Sequence, residues 1–101
     1  MGVKFKWDGA KARSNYAKHG VSFQLATEVF KDFFAVEFID DRGRYSETRF
    51  VIAGMVEGTL LWVVYTERGG CIRIISARRA TKNEQDDYFR QNFKTDDSRR
   101  N

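Results

Sequence analysis

Residues 59–80 constrain the fold of this chain more than any other segment, because they contain two strand-like runs separated by a short glycine turn. Thr59 to Glu67 is apolar at nearly every position, so both faces of the strand that it predicts must be covered. Arg68 to Gly70 predicts a tight turn with positive-φ glycines, and Cys71 to Arg78 predicts the returning strand. The sequence therefore predicts a central hairpin with a packed layer on each side.

Apolar periodicity and capping residues predict the remaining elements. A strand is expected at Val3 to Trp7, a first helix capped by Asp8 and Gly20, a second helix starting at Ser22, strands at Ala35 to Asp40 and Glu47 to Gly54, and a closing helix opened by the Thr81-to-Glu84 capping box. The predicted fold class is α+β, in the order β-α-α-β-β-β-β-α, with an antiparallel meander sheet packed with helices. Residues 1–93 are expected to form one domain, and the polar tail 94–101 is expected to fray.

Composition excludes several classes of function. The chain has 18 basic and 14 acidic residues, so its net charge of +4 favours polyanionic partners. A single cysteine, Cys71, rules out an internal disulfide, and with one histidine a structural zinc site is disfavoured. No apolar run reaches the roughly 18 residues of a membrane span, and the start lacks the apolar core of a signal peptide. A cytoplasmic protein without membrane contact, metal or cofactor is expected.

Five cations lie between Arg68 and Asn83 with no carboxylate among them: Arg68, Arg73, Arg78, Arg79 and Lys82. Such clustering predicts a nucleic-acid site. Strand alternation places Arg73 and Arg79 on one face and Arg78 on the other. We therefore expect phosphate to be held at the strand ends by Arg68, Arg78 and Arg79, with Arg73 as a flanking contact.

Structural roles compete with this interpretation of the arginines. Each guanidinium could instead form a salt bridge with Glu67, Asp86 or Asp87. The functional interpretation rests on the planar guanidinium fork, which donates two hydrogen bonds to a phosphate and stabilises charge that develops during its cleavage. RNA supplies its own nucleophile, the 2′-hydroxyl, so such a site needs no metal ion.

Proton transfer has three candidates, His19, Glu67 and Tyr88. Histidine is the side-chain type that ordinarily titrates near neutral pH. His19 could instead interact only with the C-terminus of its helix, and Tyr88 could simply pack in the core. The pair Asp40-Asp41 does not predict a two-metal nuclease, because adjacent strand residues point in opposite directions.

Several segments together resemble the BrnT family of bacterial type II toxins, over about residues 5–90. They read FKWDGAKARSNYAKHGVSF, ATEVFKD, DDRGRYSETRF and VVYTERGGCIRIISARRATKNEQDDY. The resemblance implies a RelE/ParE-like fold and a metal-independent endoribonuclease that inhibits translation. It also implies a cognate antitoxin, a BrnA-like ribbon-helix-helix protein through which the complex binds operator DNA. Gly9 and Phe33 depart from the family, which often has proline at both positions.

Carried over by position, the resemblance implies a set of site residues. The implied catalytic residues are His19, Glu67, Arg68, Arg78, Arg79 and Tyr88. The basic residues expected to contact RNA are Lys18, Arg42, Arg44, Arg49, Arg73 and Lys82. No assignment of base and acid is implied.

Two other functions remain open at this stage. The same arginines could neutralise phosphates in a nucleic-acid-binding protein without catalysis, and the products of an RNA incubation would distinguish the two functions. Alternatively, Phe33, Phe34 and Phe38 could bury against another chain in a purely structural subunit, which would have no affinity for RNA.

Overall fold

The computed structural model describes residues 3–43 and 46–99, with side chains as far as Phe93. Its elements are β1 (Lys4–Lys6), α1 (Gly9–His19), α2 (Phe23–Ala26), a 3₁₀ helix (Thr27–Lys31), β2 (Val36–Asp40), β3 (Arg49–Val56), β4 (Thr59–Arg68), β5 (Cys71–Arg79) and α3 (Lys82–Arg99). The predicted element order and α+β class are confirmed. The backbone of α3 is helical through residues 94–99, where the sequence predicts a frayed tail.

The strands form one sheet in the order β1-β5-β4-β3-β2. Strands β2 to β5 make an antiparallel meander, and β1 joins its edge parallel to β5. Strand β4 occupies the centre of the sheet, as its apolar sequence on both faces predicts. We name the two faces after the helices that cover them, the α1 face and the α3 face.

Side chains of β4 alternate between two cores. On the α1 face, Leu61, Val63 and Tyr65 belong to the larger core, which also contains Phe23 from α2 and Val29 from the 3₁₀ helix. On the α3 face, Leu60 and Trp62 pack with a smaller cluster. Its other members are Ala53, Ala80, Tyr88, Val36 and Met55. The predicted layer on each side of the hairpin is therefore confirmed.

A β-bulge in β5 changes which arginines share a face. Val64 pairs with Ser76 and Tyr65 pairs with Ile74, which leaves Ile75 as an extra residue. The alternation therefore resets, and Ile72, Ile74 and Ala77 all lie in the core of the α1 face. The prediction that Arg73 and Arg79 share a face is wrong: Arg73 lies on the α3 face with Arg78, and Arg79 lies on the α1 face.

Capping interactions fix the helix boundaries that the sequence predicts. The Asp8 carboxylate accepts from the Lys11 N–H at the start of α1, and Gly20 ends that helix with φ of 70°. The Ser22 hydroxyl caps α2. Thr81 and Glu84 exchange side-chain and backbone hydrogen bonds as a capping box at the start of α3.

The predicted second helix is α-helical for one turn and then tightens into the 3₁₀ helix. This 3₁₀ helix packs directly on β3 at Gly54. A Cβ at Gly54 would lie 2.9 Å from the Val29 carbonyl oxygen and 3.0 Å from the Val29 Cβ. Glycine is therefore required for this close approach, which buries Val29 completely.

Asn15 holds α1 against β5. Its Nδ2 donates to the carbonyl oxygens of Val21 at 3.1 Å and Ala77 at 2.8 Å, and its Oδ1 accepts from the Ala77 N–H at 3.1 Å. Asn15 is buried, so these hydrogen bonds satisfy groups that water does not reach. Asn15 and Ala77 are far apart in the sequence, so no local pattern predicts this contact.

Among the described residues, no helix is long and apolar enough to cross a membrane.

We predict that Asn15→Ala lowers the free energy of unfolding by about 2–4 kcal/mol, because it leaves buried backbone groups of Ala77 and Val21 without partners. Urea unfolding monitored by circular dichroism measures the change. Asn83→Ala is the matched control, since Asn83 is exposed and should change stability little. An Asn15 variant as stable as this control would contradict the anchoring role.

Candidate nucleic-acid interface

Helix α3 covers only part of the α3 face of the sheet. The uncovered part of this face carries a row of mostly charged side chains, one from each strand. Lys6 lies opposite Arg73, Arg73 opposite Thr66, and Arg49 opposite Asp40. Tyr65 pairs with Phe50 in antiparallel strands, so Thr66, which follows Tyr65, faces Arg49, which precedes Phe50. We call this set, Lys6, Arg73, Thr66, Arg49 and Asp40, the cross-strand row. At about 4.8 Å per strand it extends for about 19 Å.

Thr66 lies at the centre of the row, and its side chain is buried there. It is 1% exposed, so the longer side chains around it lie over it. Its Oγ1 is buried without a hydrogen-bond partner among the described residues.

Arg68 binds the carboxylate of Glu47 directly, and the charges of Arg73 and Arg49 act on the same carboxylate; we call these three arginines the arginine cluster. Arg68 donates from Nε to Glu47 Oε1 at 2.9 Å and from Nη2 to Oε2 at 2.7 Å. These hydrogen bonds, with the charges of all three arginines, outweigh desolvation and lower the pKa of Glu47. The same contacts raise the pKa of Arg68.

No sequence motif predicts Glu47 as a site residue. Arg49 and Glu47 are two positions apart, and an extended chain would place them on the same face. This spacing is the only local sign in the sequence that Glu47 lies near an arginine of the site. The partner of Arg68 was expected among Glu67, Asp86 and Asp87 if the arginine were structural. That expectation is wrong, since the Arg68 fork holds Glu47 from the segment before β3.

Arg78 lies on the α3 face at the other end of the sheet, where it is fixed from two sides. Its guanidinium carbon is 5.3 Å from the centroid of the Trp62 ring. Nη1 and Nη2 each donate to Glu84 at 2.8 Å. Desolvation works to raise the pKa of Glu84, but hydrogen bonds from Arg78 and the Thr81 N–H lower it overall. Arg78 thus ties β5 to the capping box of α3, and its partner is Glu84 rather than Glu67, Asp86 or Asp87.

Tyr88 belongs to α3, and its side chain lies between this helix and the sheet, where it is 5% exposed. Its hydroxyl donates to Asp32 Oδ2 at 2.6 Å. Burial and this hydrogen bond raise the pKa of Tyr88, so the phenol is neutral and committed as a donor. Burial alone would raise the pKa of Asp32. The hydrogen bonds from Tyr88 and from the N–H groups of Met55 and Phe34 lower it overall.

The other expected catalytic residues lie on the α1 face. Glu67 is exposed beside Tyr65, whose hydroxyl donates to Glu37. Burial is the main cause that raises the pKa of Tyr65, and the charges of Glu37 and Glu67 add to it. Arg79 is exposed opposite Leu61, and His19 lies in the last turn of α1. No hydrogen bond or ion pair among the described residues joins these three to the arginine cluster.

The residues expected to contact RNA are distributed unevenly. Arg49 and Arg73 belong to the cross-strand row, and Arg42 forms a two-pronged ion pair with buried Asp40 at the edge of the same face. Lys18 is in the last turn of α1, and Lys82 pairs with Asp86 at the start of α3. Arg44 lies outside the described residues. Within the described part of the chain, no three metal-ligating side chains of His, Cys, Asp or Glu come together.

Comparison with known families identifies one match. Residues 7–84 match the family described as the ribonuclease toxin BrnT of type II toxin-antitoxin systems. No curated relative matches the chain. The matched region contains the whole arginine cluster, Glu47, and the Arg78–Glu84 pair, whereas Tyr88 lies beyond its end.

We predict that the Asp32 carboxylate contributes stability that acid removes. Its pKa in the folded protein is below the unfolded value of 3.8, so its contribution is complete above that value and is lost as the pH falls through the folded pKa. Asp32→Asn should lower the free energy of unfolding at pH 7 by about 1–3 kcal/mol, since hydrogen bonds to a charged acceptor are lost.

Urea unfolding at a series of pH values between about 7 and 2.5 checks this prediction. The wild type should lose more stability than Asp32→Asn below about pH 4. Glu28→Gln, which removes an exposed carboxylate paired with Lys31, serves as the control. Parallel acid profiles for wild type and Asp32→Asn would contradict the role of Asp32.

Proposed function

This chain belongs to the BrnT family of ribonuclease toxins of type II toxin-antitoxin systems, and we propose that it cleaves RNA internally without a metal ion and thereby inhibits translation. The observation that carries the proposal is the arginine cluster on the part of the α3 face that α3 leaves uncovered. Family membership supplies the class of reaction, and the cluster supplies a binding site for the phosphate of its substrate.

The Arg68–Glu47 contact supports phosphate binding because a carboxylate presents two oxygens to the guanidinium fork, as a phosphate does. The pair is solvent-accessible, with 63% of the Arg68 side chain exposed, so an incoming phosphate can replace Glu47. Arg73 and Arg49 then lie beside the same phosphate or the next one along the strand. A backbone phosphate of RNA is therefore held by charge and by paired hydrogen bonds.

In the proposed reaction the 2′-oxygen attacks the adjacent phosphorus and the bond from phosphorus to the 5′-oxygen breaks. The products are a 2′,3′-cyclic phosphate and a 5′-hydroxyl. Negative charge increases on the non-bridging oxygens as the phosphorus becomes five-coordinate, and the arginine forks stabilise that charge. The proton of the 2′-hydroxyl passes to a base, and the leaving 5′-oxygen receives a proton from an acid.

His19, Glu67 and Tyr88 are proposed proton-transfer residues on the strength of the family resemblance, and the structure adds Glu47. Glu47 is within hydrogen-bonding distance of Arg68, so it lies beside the phosphate that this arginine would bind. Because its pKa is lowered, it is ionised near neutral pH and can accept a proton. We therefore propose Glu47 as the base.

The remaining cations are proposed to contact RNA on either side of the cleaved phosphate. Arg73 and Arg49 are the nearest, and Arg78 lies farther along the α3 face. RNA contacts are also proposed for Lys18, Lys82, Arg42 and Arg44. Arg79 is proposed, from the family resemblance, to act at the cleaved phosphate.

A cognate antitoxin is the proposed protein partner, as membership of a type II system implies. We propose a BrnA-like ribbon-helix-helix protein that neutralises the toxin and carries the complex to operator DNA. Phe33 is 92% exposed and Phe34 51%, and their rings contact each other. Phe34 also contacts Phe93 of α3, so this aromatic surface is available to a partner. Loss of RNA cleavage on addition of purified antitoxin tests the proposal.

We predict that Arg73→Ala lowers the rate of RNA cleavage by about 100-fold to 1,000-fold, as expected when one transition-state donor is removed. Arg73→Lys should recover only part of the rate, because an ammonium group lacks the guanidinium fork. Purified protein free of antitoxin is incubated with RNA in EDTA, and the product ends are mapped. The expected ends are 2′,3′-cyclic phosphate and 5′-hydroxyl, and the equivalent DNA should remain intact.

Arg13→Ala is the control, because Arg13 is exposed on α1 away from the arginine cluster. It should cleave RNA at the wild-type rate. RNA left intact by wild-type protein that nevertheless binds it would establish the non-catalytic alternative. Cleavage abolished by EDTA would contradict the metal-independent mechanism.

We predict that Glu47→Gln lowers kcat by about 100-fold or more while KM changes little, because the amide keeps the size and shape of the carboxylate but cannot take a proton. The wild-type rate should rise with pH only at pH values below the usual pKa of a glutamate side chain. From about pH 5.5 to 7.5 it should be constant. Glu57→Gln, in the exposed turn before β4, is the control. A rate that rises between pH 5.5 and 7.5 would contradict Glu47 as the base.

A further inference from the structure

A cavity of about 250 Å³ lies between the sheet and α3, on the same face as the cross-strand row. Phe38 of β2 and Trp62 of β4 form its aromatic side, and Tyr88 and Gln91 of α3 lie on the other side. It is smaller than the roughly 300–1,000 Å³ of pockets for drug-sized ligands. Its size therefore suits one small planar group.

The aromatic side of the cavity offers a stacking surface. The rings of Phe38 and Trp62 are 5.4 Å apart at an interplanar angle of 63°, so they pack edge to face and leave the outer face of Phe38 open. Phe38 is 43% exposed although it lies in a strand. The Arg78 guanidinium, stacked on Trp62 and bonded to Glu84, holds the indole in place.

Polar groups around the cavity are suited to a neutral ligand with hydrogen-bonding edges. The carboxylates that line it, Glu84 and Asp87, are already paired with Arg78 and Arg90. Gln91 adds an amide that both donates and accepts.

The cavity and the cross-strand row are in line along β4. Trp62 and Thr66 are four residues apart on one face, which corresponds to about 13 Å at 3.3 Å per residue. A few nucleotides of single-stranded RNA span this distance. A basic row followed by exposed aromatic rings is the combination that single-strand-binding proteins use for backbone and bases.

We propose that this cavity binds a nucleobase of the RNA substrate, a few nucleotides from the phosphate held by the arginine cluster, and so selects where the RNA is cut. The inference rests on the proposed ribonuclease function, because the cross-strand row is what brings a single strand to the cavity. The base stacks on Phe38, and its edge meets the side-chain amide of Gln91.

Binding is tested separately from cleavage with 2′-O-methyl oligonucleotides, which lack the attacking hydroxyl. The protein carries Trp7→Phe, so that Trp62 is the remaining tryptophan and reports on the cavity. Saturable quenching of its fluorescence that differs among oligonucleotides of the four bases is expected. Phe38→Ala should weaken binding by about 5-fold to 150-fold, the range that stacking on one aromatic ring provides.

Ile39→Ala is the matched control, since Ile39 is adjacent on β2, is 60% exposed and points to the α1 face. It should bind as tightly as the parent, and urea unfolding of both variants verifies that they are folded. Phe38→Ala should also broaden the set of sites cut in a mixed RNA, as read from mapped ends.

Equal affinity of the Phe38→Ala and Ile39→Ala proteins, or quenching by the antitoxin but by no oligonucleotide, would overturn the proposal. If RNA is cleaved while Phe38→Ala changes neither affinity nor cleavage sites, the cavity assignment fails and the ribonuclease function stands. If bases quench Trp62 in a Phe38-dependent manner but no RNA is cleaved, the base site stands and the ribonuclease function fails.

Discussion

The pairing of β4 with β5, and the single extra residue within it, is the constraint on which the rest of the structure depends. Ile75 has no partner on β4, so the side chains beyond it exchange faces. This keeps Ile74 and Ala77 in one core and puts Arg73 and Arg78 on the opposite face. Without the bulge, Ala77 would leave the core where Asn15 anchors α1, and Arg79 would replace Arg78 on the α3 face.

The two arginine–carboxylate contacts on the α3 face have different consequences because they differ in burial. The side chains of Arg78 and Glu84 are 29% and 19% exposed, and Glu84 also caps α3, so separating them would disturb a helix start and a stacked tryptophan. Arg68 and Glu47 are more accessible to solvent, where an ion pair is easily exchanged for another anion. The structure thus distinguishes an arginine that holds the fold from one that is available to a phosphate.

Part of the candidate site followed from the sequence, and part did not. The clustering of Arg68 and Arg73 predicts that they act together, and the planar chemistry of arginine predicts phosphate as their ligand. Glu47 was missed because its contact with Arg68 joins segments 21 residues apart, which no local pattern encodes. The extra residue in β5 was missed as well, since Ile75 is as apolar as its neighbours and alternation alone assigns it to a regular strand.

The sequence by itself determined the elements and their order, because caps such as Asp8, Ser22 and the Thr81–Glu84 box, together with apolar periodicity, act between near neighbours. It also determined that both faces of β4 would be covered. Only the tertiary structure decided which charges meet, since strand register and the bulge set the face of every side chain at once. The arginine cluster around Glu47 and the aromatic cavity beside α3 depend on that register.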